Sequence, residues 1–186
     1  MAQNDPERVL DLATGSGDLA KAIRKKSPNA LVVGADFCFP MLEVARRKNL
    51  PLLVQGDGLC LPFQSNSFDA VTVAFGLRNM ASWEAALREM ARVLRTGGLL
   101  LVMDFSLPEL ALLRKLYRLY LHNVLPRFAA AITGNKEAYE YLGSSIESFP
   151  RGGEMRELVE RSGFAQFRAR ALCMGVAHIY TARKNA

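Results

Sequence analysis

Histidine, tryptophan and cysteine are scarce here: two, one and three residues in a chain of 186. The cysteines, Cys38, Cys60 and Cys173, are far apart and show neither a CxxC nor a Cys/His ligand spacing, so a disulfide framework and a metal site are both unexpected. No stretch reaches the ~18 uncharged apolar residues of a spanning helix. The first twelve residues lack a basic segment followed by an apolar one, so no secretory leader is expected and a cytoplasmic location follows. Glycine and proline are unremarkable at 14 and 8, and half the residues are hydrophobic, which excludes collagen-like and disordered chains. The length suits one domain, residues 1–186, around one core.

The net charge of +6 is unevenly placed. Basic and acidic groups nearly balance up to Phe105, and the excess lies beyond it. Arg114, Lys115, Arg118, Arg127 and Lys136 face only Glu109 within Pro108–Lys136, interleaved with Leu, Tyr and Phe at helical spacing. An anionic membrane surface fits such a helix as a partner; an ordinary core-packing helix with a solvated basic face fits it equally.

Short β-rich runs alternate with helical patterns over the first hundred residues, which predicts βα units and a parallel sheet. Strands are expected at Arg8–Ala13, Ala30–Ala35, Pro51–Gln55, Ala70–Phe75 and Leu99–Phe105. Helices are expected at Asp18–Lys26, Pro40–Lys48 and Trp83–Leu94, the last capped by Ser82 and stopped by Thr96-Gly97-Gly98. A long helix over Pro108–Ala131 and shorter ones near Glu137–Ser148 and Gly153–Ser162 follow. Phe164–Leu172 and Gly175–Arg183 read as a terminal hairpin.

Chemistry concentrates where the first strand runs into Thr14-Gly15-Ser16-Gly17-Asp18. A Gly-x-Gly turn brings backbone N–H groups close to a cofactor, although two glycines also suit a plain tight turn. Gly15-x-Gly17-x-x-Ala20 with Asp36 about 20 residues on nearly matches a dinucleotide fingerprint. Asp18 argues against that ligand, because a carboxylate at the helix start repels a diphosphate. S-adenosylmethionine has no phosphate and carries two cationic groups, which Asp11 and Asp18 favour. Asp36 ends the second strand, where it can accept from both ribose hydroxyls. Asp57 follows the third, placed to accept from an adenine amino group, with Leu59 and Phe37 or Met41 beside the ring. Each aspartate alone suits an ordinary turn; three at consecutive strand ends make accident a poor account. The candidate cofactor set is Asp11, Ala13, Thr14, Gly15, Gly17, Asp18, Asp36, Phe37, Met41, Gly56, Asp57, Gly58, Leu59 and Phe75, and S-adenosylhomocysteine is the expected product.

Longer strings carry a resemblance: Leu10–Asp18, Gly34–Leu42, Gly56–Asp69, Phe75-Gly76-Leu77-Arg78-Asn79-Met80, Ala86–Arg95, Asp104–Pro108, Tyr139–Pro150 and Gly175–Lys184. With them the chain resembles the ubiquinone/menaquinone biosynthesis C-methyltransferase family, within the class I S-adenosylmethionine-dependent methyltransferases. The resemblance implies a Rossmann-like α/β fold, with a mostly parallel seven-stranded sheet, an antiparallel C-terminal hairpin strand and flanking helices. It implies C-methylation of a lipophilic polyprenyl quinol, either demethylmenaquinol or a 2-polyprenyl-6-methoxy-benzoquinol, with a helical acceptor-binding insertion at about 107–150. Peripheral association with the inner face of a membrane through residues 108–131 goes with it, nucleic acid is not an expected partner, and a homodimer stays open. Members of that family usually carry helices before the first strand, which here is expected almost at the start of the sequence, and Tyr180 stands where many members have histidine, with His178 two positions earlier.

Within that frame Arg78 is the candidate for stabilising a quinol phenolate, since a fixed positive charge lowers the pKa of a nearby hydroxyl. Asn79 can hydrogen-bond the acceptor or shape the turn. His122, alone on an amphipathic helix, is not chosen as a base. Leu112, Leu116, Leu119 and Phe128 are expected to wall a prenyl tail, and Tyr139 or Tyr141 to line the acceptor pocket or the core. The competing readings are a methyltransferase for another small molecule or RNA, and a non-catalytic cofactor- or quinone-binding module.

Overall fold

The computed structural model describes residues 6–124 and 136–186. Five βα-type strands come first: β1 (Arg8–Leu12), β2 (Leu31–Asp36), β3 (Leu53–Gln55), β4 (Phe68–Ala74) and β5 (Leu94–Phe105). Helices α1 (Asp18–Lys26), α2 (Phe39–Arg47) and α3 (Trp83–Val93) lie between them. After β5 come α4 (Ala111–Leu119), which continues as a π-helical turn over Tyr120–Val124, then α5 (Lys136–Ser148) and α6 (Gly153–Arg161). The terminal hairpin is β6 (Phe164–Leu172) and β7 (Ala177–Lys184).

One seven-stranded sheet runs β3-β2-β1-β4-β5-β7-β6. The first five strands pair in parallel; β7 is antiparallel to both β5 and β6. This is the architecture expected from the sequence. Strand order reverses between β1 and β4, and at such a switch point an open α/β sheet leaves a crevice beyond its C-terminal strand ends.

The sheet's two faces carry separate cores. On one, Val9, Val32 and Ala70 meet Ala20 of α1 and Ala45 of α2. On the other, Leu10, Val71, Val73, Leu100 and Val102 meet α3 and α6. Helix α3 starts where Ser82 Oγ accepts from the Ala85 N–H at 3.2 Å, and it buries Ala86, Leu87, Met90, Ala91 and Val93. Each large side chain among them contributes roughly 1.5–3 kcal/mol. A third, smaller core of Leu107, Leu121 and Ile146 joins α4 to α5 and packs on Phe105 and Tyr117.

Boundaries differ from expectation in informative ways. The first strand stops at Leu12, because Ala13 turns into the left-handed region at φ 53°. Thr96-Gly97-Gly98 is no loop before the fifth strand: β5 already begins at Leu94, and these residues form an irregularity where β4 pairing shifts from Phe68↔Leu94 to Ala70↔Leu99. The long helix ends its regular part at Leu119 and passes into the π-turn. Arg127 and Phe128, and the side chains of Lys136 and Tyr139, lie outside the described residues.

Candidate functional site

A cavity of about 500 Å³ opens at the switch point, a volume within the usual range for small-ligand sites. Four strand ends build it. Leu12 and Ala13 come from β1, Asp36 and Phe37 from β2, Gly56 to Leu59 from the segment after β3, and Ala74, Phe75, Gly76, Asn79, Met80 and Ala81 from the end of β4. Its charged lining side chains are Asp36 and Asp57, with no lysine, arginine or histidine among the lining residues.

The aspartates are held, not merely nearby. Asp36 accepts from the Gly15 N–H at 2.7 Å and the Cys38 N–H at 2.8 Å, which joins the glycine turn to the end of β2. Asp57 accepts from the Leu59 N–H at 2.9 Å, closing a local turn. On the opposite side Phe75 sits at φ 57°, a conformation costly for an aromatic residue and concentrated at working sites. The next residue must be glycine, because a Cβ on Gly76 would lie 2.4 Å from Ala13 Cβ. Ala13 and Gly76, just past the ends of β1 and β4, therefore approach each other closely in the cavity lining.

Nine of the expected residues line this cavity: Ala13, Asp36, Phe37, Gly56, Asp57, Gly58, Leu59, Phe75 and Asn79. The others sit elsewhere. Asp11 is 1 % exposed, beneath the turn, and accepts from Thr14 Oγ1 at 2.7 Å and Thr72 Oγ1 at 2.8 Å. Burial raises its pKa above the ordinary value, the Thr14, Thr72 and Ala20 hydrogen bonds oppose that, and Asp36 adds to it. Asp11 and Thr14 thus brace the loop from behind. Asp18 points its charge at a lysine: Lys48 Nζ donates to it at 2.7 Å and Ser16 Oγ donates at 2.7 Å, and the Lys48 bond leads in lowering its pKa. Gly17, at φ 80°, lets α1 pack on Leu50 and Ala45, where a Cβ would collide. Gly15 turns beneath Asp36, and Met41 is partly exposed on α2. Sequence reasoning passed over Leu12, Ala74, Gly76, Met80 and Ala81. For Leu12, Ala74 and Gly76 the signal was positional, since each lies at or next to a strand end; Met80 and Ala81 lie past the turn Leu77–Asn79 and carried no such signal.

Arg78 lies behind the cavity lining, next to Asn79. Its side chain is 9 % exposed, and Nη1 donates to Asp104 Oδ1 at 2.7 Å and to the Phe75 carbonyl at 2.7 Å. The guanidinium lies 5.2 Å from the Phe105 ring centre. Asp104, wholly buried, offsets its charge. Helix α4 reaches the same place: burial raises the Tyr117 phenol pKa, Tyr120 adds to that, and the Arg78 charge opposes it.

The expected apolar wall turns outward. Leu112, Leu116 and Leu119 are 54–71 % exposed and border a groove of about 460 Å³ with Lys115, Arg118, His122, Asn123 and Glu147. Leu121 and Tyr117 take the inward stripe. Arg118 and His122 share Glu147, at 3.0 and 3.3 Å. Tyr141 is exposed.

An S-adenosylmethionine-like ligand fits the cavity on its own chemistry. Two carboxylates at neighbouring strand ends suit hydroxyl and amino donors, Phe37, Leu59 and Met80 offer apolar surface, and the lining's negative charge favours a cation over a diphosphate.

Comparison with known proteins points the same way. The model of the ubiE/COQ5 methyltransferase family matches residues 1–184. The chain is 46 % identical over 180 residues to a demethylmenaquinone methyltransferase of Thermus thermophilus, covering 94 % of this chain and 81 % of that protein. It is 41 % identical over 187 residues to one of Deinococcus radiodurans, covering 98 % and 77 %. Among solved structures, a SAM-dependent methyltransferase of Thermotoga maritima superposes with a TM-score of 0.71 at 18 % identity, over 99 % of this chain and 84 % of that one; this likeness speaks to the fold.

Proposed function

Because this chain belongs to the ubiE/COQ5 methyltransferase family, we propose that it methylates a ring carbon of a polyprenylated quinol, with demethylmenaquinol as the preferred acceptor. It is an S-adenosylmethionine-dependent methyltransferase of menaquinone biosynthesis. The names of the relatives favour the naphthoquinol over the benzoquinol. The structural observation that carries the reading is the cation-free, carboxylate-lined cavity at the switch point of the sheet.

S-adenosylmethionine supplies a methyl carbon on a positively charged sulfur, so the leaving group needs no activation and alignment is the enzyme's main task. Asp36 would hold the ribose hydroxyls and Asp57 the adenine amino group, with Phe37 and Leu59 beside the ring. Asn79 reaches the cavity from the β4 side, where its carboxamide can orient a ring hydroxyl of the acceptor. Arg78 acts from behind that contact, with a charge that Asp104 largely offsets, so its pull on a phenolate is weaker than that of an unpaired cation. Phe75 and Phe105, with ring centres 4.6 Å apart, and Met80 keep this side apolar.

The outward leucines of α4, edged by Lys115 and Arg118, would rest on an anionic bilayer and bring the site to a membrane-dissolved quinol. No described helix is long and apolar enough to cross one.

The test offers demethylmenaquinol and a demethylated benzoquinol side by side in detergent with methyl-labelled S-adenosylmethionine. Label is expected on the naphthoquinol, and Asp36→Ala is expected to lower it about ten- to hundredfold at subsaturating S-adenosylmethionine. Cofactor binding with label on neither ring sinks the acceptor assignment.

A further inference from the structure

Resting on that reading and extending it, we propose that Asp104 is a positioning residue for methyl transfer: through Arg78 it fixes the turn that presents Asn79 to the acceptor. The backbone leaves β4 at Ala74 and enters a tight turn over Phe75 to Asn79. Phe75, held at positive φ, is pinned on both sides. Its N–H donates to the Met103 carbonyl at 2.7 Å, and its carbonyl accepts from Arg78 Nη1 at 2.7 Å and Asn79 Nδ2 at 3.3 Å. Asp104 closes the arrangement from β5, accepting from Arg78 Nη1 at 2.7 Å, the Arg78 N–H at 3.2 Å and the Phe105 N–H at 2.9 Å.

Stability alone is a poor account of this pair. A buried ion pair recovers its desolvation cost only when every donor is satisfied, and Arg78 Nε has no partner among the described residues. Apolar side chains of similar volume would hold β4 and β5 together at least as well. What they would not supply is a directed link from β5 to both the backbone and the side chain of residue 78. Asp104 is wholly buried and does not line the cavity, whereas Gly76, Asn79 and Met80, on the turn it secures, do. A displacement of about 1 Å in such a contact costs on the order of 100-fold in rate.

The molecule carries its own reporter. Trp83, the single tryptophan, donates Nε1–H to the Arg78 carbonyl at 3.4 Å. Asp104→Asn should therefore shift Trp83 emission and raise its acrylamide quenching. S-adenosylmethionine affinity should fall much less than kcat, by no more than about threefold, because the carboxylates that hold it, Asp36 and Asp57, act from β2 and β3, while of the loosened turn only Phe75, Gly76, Asn79 and Met80 line the cavity. kcat at saturating quinol should fall by about 100-fold. Arg78→Gln/Asp104→Asn, which leaves no uncompensated buried charge, should fold and show the same loss. Wild-type kcat in either variant overturns the proposal. So does a loss of activity matched by equal losses of cofactor affinity and melting temperature, since that marks a merely structural role. Should the wild type transfer no methyl to any quinol, the acceptor reading fails separately, and unchanged Trp83 emission and quenching in Asp104→Asn would still overturn the positioning role.

Discussion

Single side chains decide most of what happens at the strand ends. Removing the Asp36 carboxylate also frees the Gly15 and Cys38 N–H groups, so Asp36→Ala should weaken S-adenosylmethionine binding by about 1.5–3 kcal/mol, roughly ten- to hundredfold. Gly76→Ala forces its new methyl against Ala13, and overpacking of that kind costs about 1–3 kcal/mol; lower cofactor affinity in calorimetry, with the far-ultraviolet spectrum retained, is the expected outcome. Tyr180 makes a contrasting case. Burial pushes its phenol pKa up to about 12, the neighbouring Ser106 hydroxyl opposing and Asp104 adding to the effect, and neither Tyr180 Oη nor Ser106 Oγ makes a hydrogen bond of good geometry among the described residues. Tyr180→Phe should therefore leave the melting temperature unchanged or raise it, whereas a loss above about 1 kcal/mol would reveal a bond to the hydroxyl. Burial lowers the pKa of His178 below its ordinary 6.5, with Glu109 opposing. The unfolded chain then takes up this proton before the folded one does, so the associated stability is present above pH 6.5 and is lost as pH falls below it. The drop in melting temperature from pH 7.5 to 5.5 should be smaller in His178→Gln than in wild type. Asp104 was the residue hardest to read from sequence. It stood as one acid in the apolar run Leu99–Phe105, a position that demands a buried partner but does not name it.

Secondary-structure elements were legible where one periodicity ruled. Helix α3 announced itself by Ser82 and a clean apolar face, and it buries that face. Helix α4 was legible as a helix but not in its facing, because leucines occur on both of its sides, and spacing alone could not tell the inward stripe of Tyr117 and Leu121 from the outward one of Leu112, Leu116 and Leu119. Gly97 and Gly98 misled in another way. They do not end α3, since the chain has already entered β5 at Leu94. The outward stripe of α4 has a consequence at this scale. Leu112→Glu/Leu116→Glu should reduce co-sedimentation with vesicles containing anionic phospholipid, while cofactor affinity stays at the wild-type level. Equal sedimentation of variant and wild type would remove α4 as the membrane-facing surface.

At the scale of the molecule, sheet order does the assembling. Parallel strands with helical crossovers put all their C-terminal ends on one edge, and the reversal between β1 and β4 opens that edge into a cavity. The alternation of β-rich and helical patterns made the order of elements readable, and acidic residues at successive strand ends marked the edge before any geometry was known. What the pattern could not give was depth. Asp11 and Asp36 occupy comparable positions in sequence, yet one lies under the loop and the other lines the cavity. Depth follows from packing between elements, as with Thr14 and Thr72 closing over Asp11.

The most direct measurement is calorimetric titration of the purified chain with S-adenosylmethionine, S-adenosylhomocysteine and NAD in parallel. The wild type should bind one equivalent of each of the first two and none of the dinucleotide, with both affinities falling together in Asp36→Ala and Asp57→Ala. Binding of NAD, or cofactor affinity indifferent to both aspartates, would contradict the assignment of the carboxylate-lined cavity.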